Sequence, residues 1–202
     1  MKLFLAVVIT YLVGAIPTGY LFGRLKKIDI RMHGSGNVGA TNVLRTVGKL
    51  PAILTLLIDI LKGLVAVTFL ARLFYGWVID LEYSKFVAIL AFVVVAGHNW
   101  TIFLGFKGGK GVATTAGVLL GVCPKLLLIG LITWVIVFIF SRIVSLSSII
   151  SAVVIPVTSY LMPYANAIRI ATILLGIMTI IRHKSNILRL LKGEEKRVGV
   201  KV

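Results

Sequence analysis

Residues 51–74 read PAILTLLIDILKGLVAVTFLARLF, and their interpretation decides the fold. As a helix rising ~1.5 Å per residue, this run would reach ~36 Å, more than the ~30 Å hydrocarbon core of a bilayer. Asp59, Lys62 and Arg72 are the charges within it. Working outward, further apolar runs lie at 3–23, 85–104, 112–122, 126–140, 146–161 and 166–181. The runs 3–23, 51–74 and 85–104 can each cross a bilayer unaided. The run 112–122 covers only ~17 Å as a helix. It must be extended by its neighbours, shielded by protein, or fused with 126–140 across Cys123-Pro124-Lys125. The expectation is an all-α polytopic membrane protein of about seven transmembrane helices, with five or six as alternatives.

Composition agrees: 59% of the 202 residues are hydrophobic, 14% are charged, and mean hydropathy is +1.06. A soluble domain would be nearer half apolar and a quarter charged. The 22 Lys+Arg against 6 Asp+Glu give a net charge of +16. A nucleic-acid-binding protein could be as basic but would not carry this much aliphatic sequence, so no nucleic-acid partner is expected. The first run follows Lys2 and contains Val13-Gly14-Ala15, which raises a cleaved signal peptide. The run continues through Tyr20-Leu21-Phe22 to Arg24, which favours an uncleaved anchor with its N-terminus outside. Seven crossings then place 24–50, 105–111, 141–145 and 182–202 on the cytoplasmic side, carrying six, two, one and seven Lys+Arg. The outer ends hold Lys2, Arg72, Lys85, Lys125 and Arg169. That bias predicts a cytoplasmic C-terminus. No repeat or linker divides the chain, so 1–202 is expected to be one integral-membrane domain. In the tail, Ser185 to Lys196 has the spacing of a short interfacial helix on anionic headgroups. The single Cys123 excludes an internal disulfide. Three histidines, with carboxylates paired only at Glu194-Glu195, give no reason to expect a metal or other cofactor.

Polar chemistry gathers at the cytoplasmic ends. Gly34-Ser35-Gly36-Asn37-Val38-Gly39-Ala40-Thr41-Asn42 leads to Arg45. Its literal G-x-G-x-x-G would bind a dinucleotide only after a buried strand in a βαβ unit, which is lacking here. Small polar groups, amides and a guanidinium suit a phosphate; a capped turn entering a helix is the plainer alternative. A second segment runs Gly97-His98-Asn99-Trp100 and then Phe106-Lys107-Gly108-Gly109-Lys110-Gly111. It fits no Walker register. Glycine amides and two lysines could converge on an oxyanion, and the alternative is a basic loop making a sharp reversal. His98 is open to three roles: general base, phosphate donor or capped structural residue. Asp59 and Lys62, three apart within a span, are either a structural pair or part of a site. Ser141-Arg142 to Ser145 and Arg182-His183-Lys184-Ser185-Asn186 complete four phosphate-friendly segments.

These residues resemble the bacterial membrane acyl-phosphate:glycerol-3-phosphate acyltransferases, the PlsY family. The likeness rests on Ser35 to Asn42 with Arg45, and on Gly97-His98 with Phe106 to Thr114. Further marks are Asp59-x-x-Lys62-Gly63, Val144-Ser145-Leu146, and His183-x-x-Asn186-Ile187-x-Arg189-Leu190-Leu191 before Gly193 and Glu195. It runs over essentially the whole chain. Thr101 departs from it, since the family usually has proline there, a change expected to loosen the helix end. The resemblance implies a seven-span fold in the bacterial inner membrane with a cytoplasmic active site. It implies acyl transfer from acyl phosphate to the 1-hydroxyl of sn-glycerol 3-phosphate, releasing lysophosphatidate and phosphate, the first step of phospholipid biosynthesis. By resemblance, Ser35, Arg45, His98 and Lys107 are catalytic candidates. Glycerol 3-phosphate is assigned to Arg45, Lys107, Ser145, His183 and Asn186. Acyl phosphate is assigned to Ser35, Gly36, Asn37, Thr41 and Asn42 and to the amides of Gly108, Gly109, Lys110 and Gly111. Membrane lipid and the soluble enzyme that makes acyl phosphate are candidate partners. An activated donor needs no acyl-serine step, so direct transfer is expected, with Ser35 as an anion donor. The rivals are a transporter for phosphorylated solutes and a non-catalytic subunit with a lipid-binding basic face.

Overall fold

The computed structural model describes residues 1–76 and 81–199, and these are built from helices, turns and loops. Lys201, counted above in the basic tail, lies outside the described residues. Helices α1 (Lys2–Ala15) and α2 (Thr18–Leu25) form one 24-residue apolar segment broken at Ile16-Pro17. Proline causes the break, because it has no N–H to donate and its ring crowds the preceding turn. A short α3 (Ala40–Thr46) precedes α4 (Lys49–Val65), which continues through a π-helical stretch, Ala66–Leu70, into α5 (Ala71–Tyr75). Together α4 and α5 make a 27-residue span. Helix α6 (Tyr83–Asn99) is followed by a 3-10 turn at Ile102–Leu104, then by α7 (Val112–Val122) and α8 (Pro124–Ser141). The chain ends in α9 (Val144–Tyr160), α10 (Asn166–Arg182) and α11 (Lys184–Leu191).

By length and composition, four described helices can cross a membrane, or five if α10 and α11, bent by 59° at His183, count as one. Helices α7 and α9 are apolar but shorter. The fusion of 112–122 with 126–140 does not occur. Cys123 breaks the helix at φ −144°, and Pro124 starts α8, where a missing N–H costs nothing. The tail helix is shorter than expected. It stops at Leu191, and Gly193, at φ +71°, turns the chain back so that the Glu194 amide donates to the Arg189 carbonyl.

The chain divides into two compact units, Met1–Val122 and the remainder from Cys123. In the first unit, glycines set the approach of the helices. A methyl on Gly14 would lie 2.1 Å from the Val94 carbonyl oxygen, and one on Gly97 would lie 2.4 Å from that of Tyr11. The same reciprocity joins α4 to α7: Gly63 would meet the Thr114 carbonyl at 2.1 Å and Gly117 that of Ile60 at 1.9 Å. Backbones this close gain dispersion contacts that lipid-soaked helices cannot get from the hydrophobic effect. The short α7 is thereby packed closely along one face of α4.

In the second unit, α9 presents buried serines toward its neighbours. Ser151 donates to the Gly130 carbonyl (3.0 Å), Trp134 donates to Ser148 (3.1 Å), and Thr172 donates to Ser159 (3.1 Å).

Candidate functional site

In the first unit, the segment between α2 and α3 rests on a small apolar core of Ile30, Val38, Val43, Ala52 and Leu104. One side chain closes it. Asn42, 1% exposed, accepts from the Ser35 amide (2.8 Å) and donates to the carbonyls of Ile30 (3.0 Å) and His33 (3.2 Å). Gly34 sits at φ +62°, where a methyl would come within 2.3 Å of Asn42 Oδ1. Asn42 is therefore an internal clamp: both ends of its amide serve the loop. Asn37 accepts from the Gly39 amide (2.8 Å), an Asx turn that launches α3. This arrangement leaves Ser35 and Gly36 exposed, with Thr41 half-buried on the first turn of α3 and Arg45 exposed on its last. Just upstream, Asp29 takes both Nε and a terminal nitrogen of Arg31, at 2.9 and 2.6 Å. That fork, in spite of a small burial penalty, holds the Asp29 carboxyl down to about 2.

The second segment folds back on the end of α6. The amides of Gly108 and Gly109 donate to the carbonyls of Asn99 (3.1 Å) and His98 (3.0 Å). These two N–H groups finish the end of the helix. The glycines are needed for another reason. A methyl on Gly108 would lie 2.1 Å from the His98 carbonyl oxygen, and one on Gly109 would lie 2.0 Å from His98 Nε2. The loop is thus laid directly on His98, itself 8% exposed. Lys107 is exposed and follows Phe106, whose φ of +64° is strained for a residue with a side chain. Lys110 is half-buried, and Gly111 turns into α7 at φ +80°. Thr101 tightens this end instead of loosening it. Its hydroxyl donates to the Ala15 carbonyl (2.5 Å) at the break of the first span and accepts from the Phe103 amide (3.3 Å).

The second unit gathers Ser145, His183 and Asn186, which are 5%, 3% and 5% exposed. His183 Nδ1 is 2.8 Å from the Thr179 carbonyl oxygen, so this nitrogen carries the hydrogen. The residue that organises the group is Glu195. Its carboxylate accepts from Ser145 Oγ (2.7 Å), Asn186 Nδ2 (2.5 Å) and Arg189 Nε (2.6 Å). Burial works against ionising it, but the three hydrogen bonds and the Arg189 charge prevail and hold its pKa below the ordinary value. The tail is fastened further along, where the Val198 amide donates to the Arg142 carbonyl (2.8 Å). In the sequence Glu195 stood out only as part of the family likeness. The one local signal was an acidic pair in an otherwise basic tail, and only Glu195 of that pair is drawn inward.

A family described as glycerol-3-phosphate acyltransferase matches residues 4–193. The glycerol-3-phosphate acyltransferase of Rippkaea orientalis is 44% identical, with 98% of this chain and 94% of that protein covered. Glycerol-3-phosphate acyltransferase 2 of Moorella thermoacetica is 46% identical, with 96% and 97% covered. Among solved structures, PlsY (YgiH), an integral membrane glycerol 3-phosphate acyltransferase, was crystallised in a glycerol 3-phosphate form. It superposes with a TM-score of 0.89 at 36% identity, covering 98% of this chain and 96% of that one. Its lysophosphatidic acid form gives a TM-score of 0.86 at the same identity and coverage. With the family matched over nearly its whole length, and with the glycine-rich loops and basic residues on the described helices, the chain belongs to the glycerol-3-phosphate acyltransferase family of integral membrane enzymes.

Proposed function

We propose that the enzyme moves a fatty acyl group from acyl phosphate to the 1-hydroxyl of sn-glycerol 3-phosphate, at the cytoplasmic face of the bacterial inner membrane. The glycerol oxygen attacks the acyl carbonyl, the bond from that carbon to the phosphate oxygen breaks, and inorganic phosphate leaves with the electron pair. The hydroxyl proton passes to a base, either a substrate phosphate or His98. A mixed anhydride is already activated, so the protein supplies position and positive charge. The observation that carries the reading is the family match together with glycerol 3-phosphate and lysophosphatidic acid forms of a relative with this fold.

In this reading Arg45 and Lys107 of the first unit supply positive charge for a phosphate, and within the second unit Ser145, His183 and Asn186 are polar groups suited to glycerol 3-phosphate. The Ser145 hydroxyl proton is spent on Glu195, so Ser145 offers the substrate lone pairs, which suit a glycerol hydroxyl better than a phosphate. Acyl phosphate lies against Ser35, Gly36, Asn37 and Thr41 and against the Lys110–Gly111 end of the second loop, with Asn42, Gly108 and Gly109 holding those loops in shape. Ser35 acts as a donor to an anion, and transfer is direct. Four long apolar helices, the bent α10–α11 pair and the two shorter helices α7 and α9 support seven crossings with the N-terminus outside. On this reading residues 1–202 are a single integral-membrane domain. The soluble source of acyl phosphate docks on the basic cytoplasmic side.

The test is acyl transfer by the purified chain in detergent. Labelled acyl phosphate plus glycerol 3-phosphate should yield 1-acyl-glycerol 3-phosphate, and acyl phosphate alone should leave no acyl group on the protein. Absence of product, or an adduct on Ser35 that chases into product, would refute the donor or the direct step respectively.

A further inference from the structure

The ion pair inside α4 meets the edge of His98 that faces away from the glycine loop. Asp59 and Lys62 are 2% and 5% exposed, with Nζ 2.9 Å from Asp59 Oδ1. The same Oδ1 accepts from Thr18 Oγ1 (3.2 Å), on the first turn of α2, and lies 3.7 Å from His98 Nδ1. Lys62 also donates to the Ile16 carbonyl (3.1 Å), one of those left without a full helical partner where Pro17 breaks the first span. On the far edge of the imidazole, Nε2 abuts Gly109. The ring therefore stands between a fixed carboxylate and the loop that carries Lys107 to Gly111.

Holding helices together does not require charge here. An apolar pair of similar volume packs as well as a buried ion pair, and often better. Ionisable groups at this depth in a span are costly and usually do work. A carboxylate near Nδ1 favours a hydrogen on that nitrogen and fixes which ring edge faces the other way, as an orienting group does for a catalytic imidazole. We propose that Asp59 and Lys62 are positioning residues for acyl transfer: Lys62 locks the Asp59 carboxylate, and Asp59 sets the tautomer and orientation of His98 beneath the Lys107–Gly111 loop. The inference rests on the reading of His98 as part of the site. In this role both members of the pair act through the imidazole.

The experiment uses the full chain, purified in detergent, as wild type, the double variant Asp59→Asn/Lys62→Met, His98→Ala, and the triple combination. Removing both charges together leaves no lone buried ion. The double variant should melt close to the wild type yet lose about tenfold or more in kcat, with little change in KM for glycerol 3-phosphate. The triple variant should be no slower than His98→Ala, because a pair acting through the imidazole has nothing left to position. Wild-type kcat in a folded double variant, beside a slow His98→Ala, would overturn the proposal alone. Losses that multiply in the triple variant would overturn it too. Wild-type kcat in His98→Ala would overturn the site reading of His98 and the proposal with it. Should the double variant fail to fold, Thr18→Val carries the same test, since it removes one donor to Asp59 and leaves the ion pair. Slower turnover that is non-additive with His98→Ala supports the proposal, and unchanged turnover overturns it.

Discussion

Asn42 separates a ligand from a clamp more sharply than any other residue of the first loop. Its amide makes three hydrogen bonds, one from the Ser35 N–H and two to the Ile30 and His33 carbonyls, and the side chain is buried. At about 1 kcal/mol net per bond, Asn42→Ala should cost the loop about 3 kcal/mol, or about two powers of ten in its opening equilibrium. Amide hydrogen exchange at Ser35 reads that equilibrium directly and should speed up by about 100-fold. Asn42→Asp is subtler. It keeps an acceptor for the Ser35 N–H but turns the two donated bonds into contacts between oxygens. Exchange should therefore be intermediate at Ser35 while the Ile30–Gly36 segment loosens, and acyl transfer should fall in step with the loss of protection in both variants. A residue that bound substrate directly would behave differently, losing activity with loop protection intact. Wild-type exchange at Ser35 in Asn42→Ala would refute the clamp.

Arg45→Lys keeps the charge but loses the planar fork, so kcat/KM for glycerol 3-phosphate should fall about 10- to 100-fold, as one charge-assisted hydrogen bond is worth; near-wild-type kinetics would remove Arg45 from the phosphate site. Gly109→Ala must displace either the loop or the His98 ring, since the added methyl would lie 2.0 Å from Nε2; it should lose about tenfold or more in kcat, and unchanged turnover would mean the loop is pliable. For Glu195 the carboxyl pKa is lower in the folded protein than its ordinary 4.5, so its stabilisation is present above about pH 4.5 and fades as pH falls through the folded value. Melting temperature followed from pH 6 downward should show this acid step in the wild type and lose it in Glu195→Gln, and an identical step in both would dismiss the tail carboxylate.

Much of the fold could be read from the chain because a bilayer is an undemanding reader. A run such as 85–104 needs only length and apolarity to be recognised as a span, and it appears as α6 with its following turn. The break at Pro17 was not anticipated. Apolarity continues across it, and the carbonyls it strands are satisfied by Lys62 and Thr101, which are 46 and 86 positions away from their acceptors. The end of α11 was missed for a similar reason: helical spacing persists to Lys196, whereas the reversal at Gly193 is enforced by Glu195 reaching Ser145 and Asn186. In both places a hydrogen bond distant in sequence overrides a local pattern.

The same distinction governs the site. Residue types suited to phosphate could be picked out because Gly, Ser, Asn, Arg and Lys are conspicuous against an aliphatic chain. Their division of labour could not, since Asn42 and Thr41 are adjacent and equally polar, yet one faces inward and the other does not. A loop built to meet an anion must first satisfy its own backbone, and in an environment poor in water that duty falls on side chains. Asn42 on Ile30 and His33 and Asn37 on Gly39 perform it, while Glu195 satisfies the side chains of Ser145 and Asn186 in the second unit. The count of polar residues in these motifs thus exceeds what two phosphates need, and the surplus is the scaffolding that keeps Arg45 and Lys107 exposed on fixed backbone. It follows that substitutions at the scaffold should act on substrates through loop order, and those at Arg45 and Lys107 through charge. Ionic strength divides the two classes: added salt should narrow the gap between wild type and the charge-removing variants Arg45→Gln and Lys107→Gln, and should leave the deficit of an Asn42 or Gly109 variant unchanged.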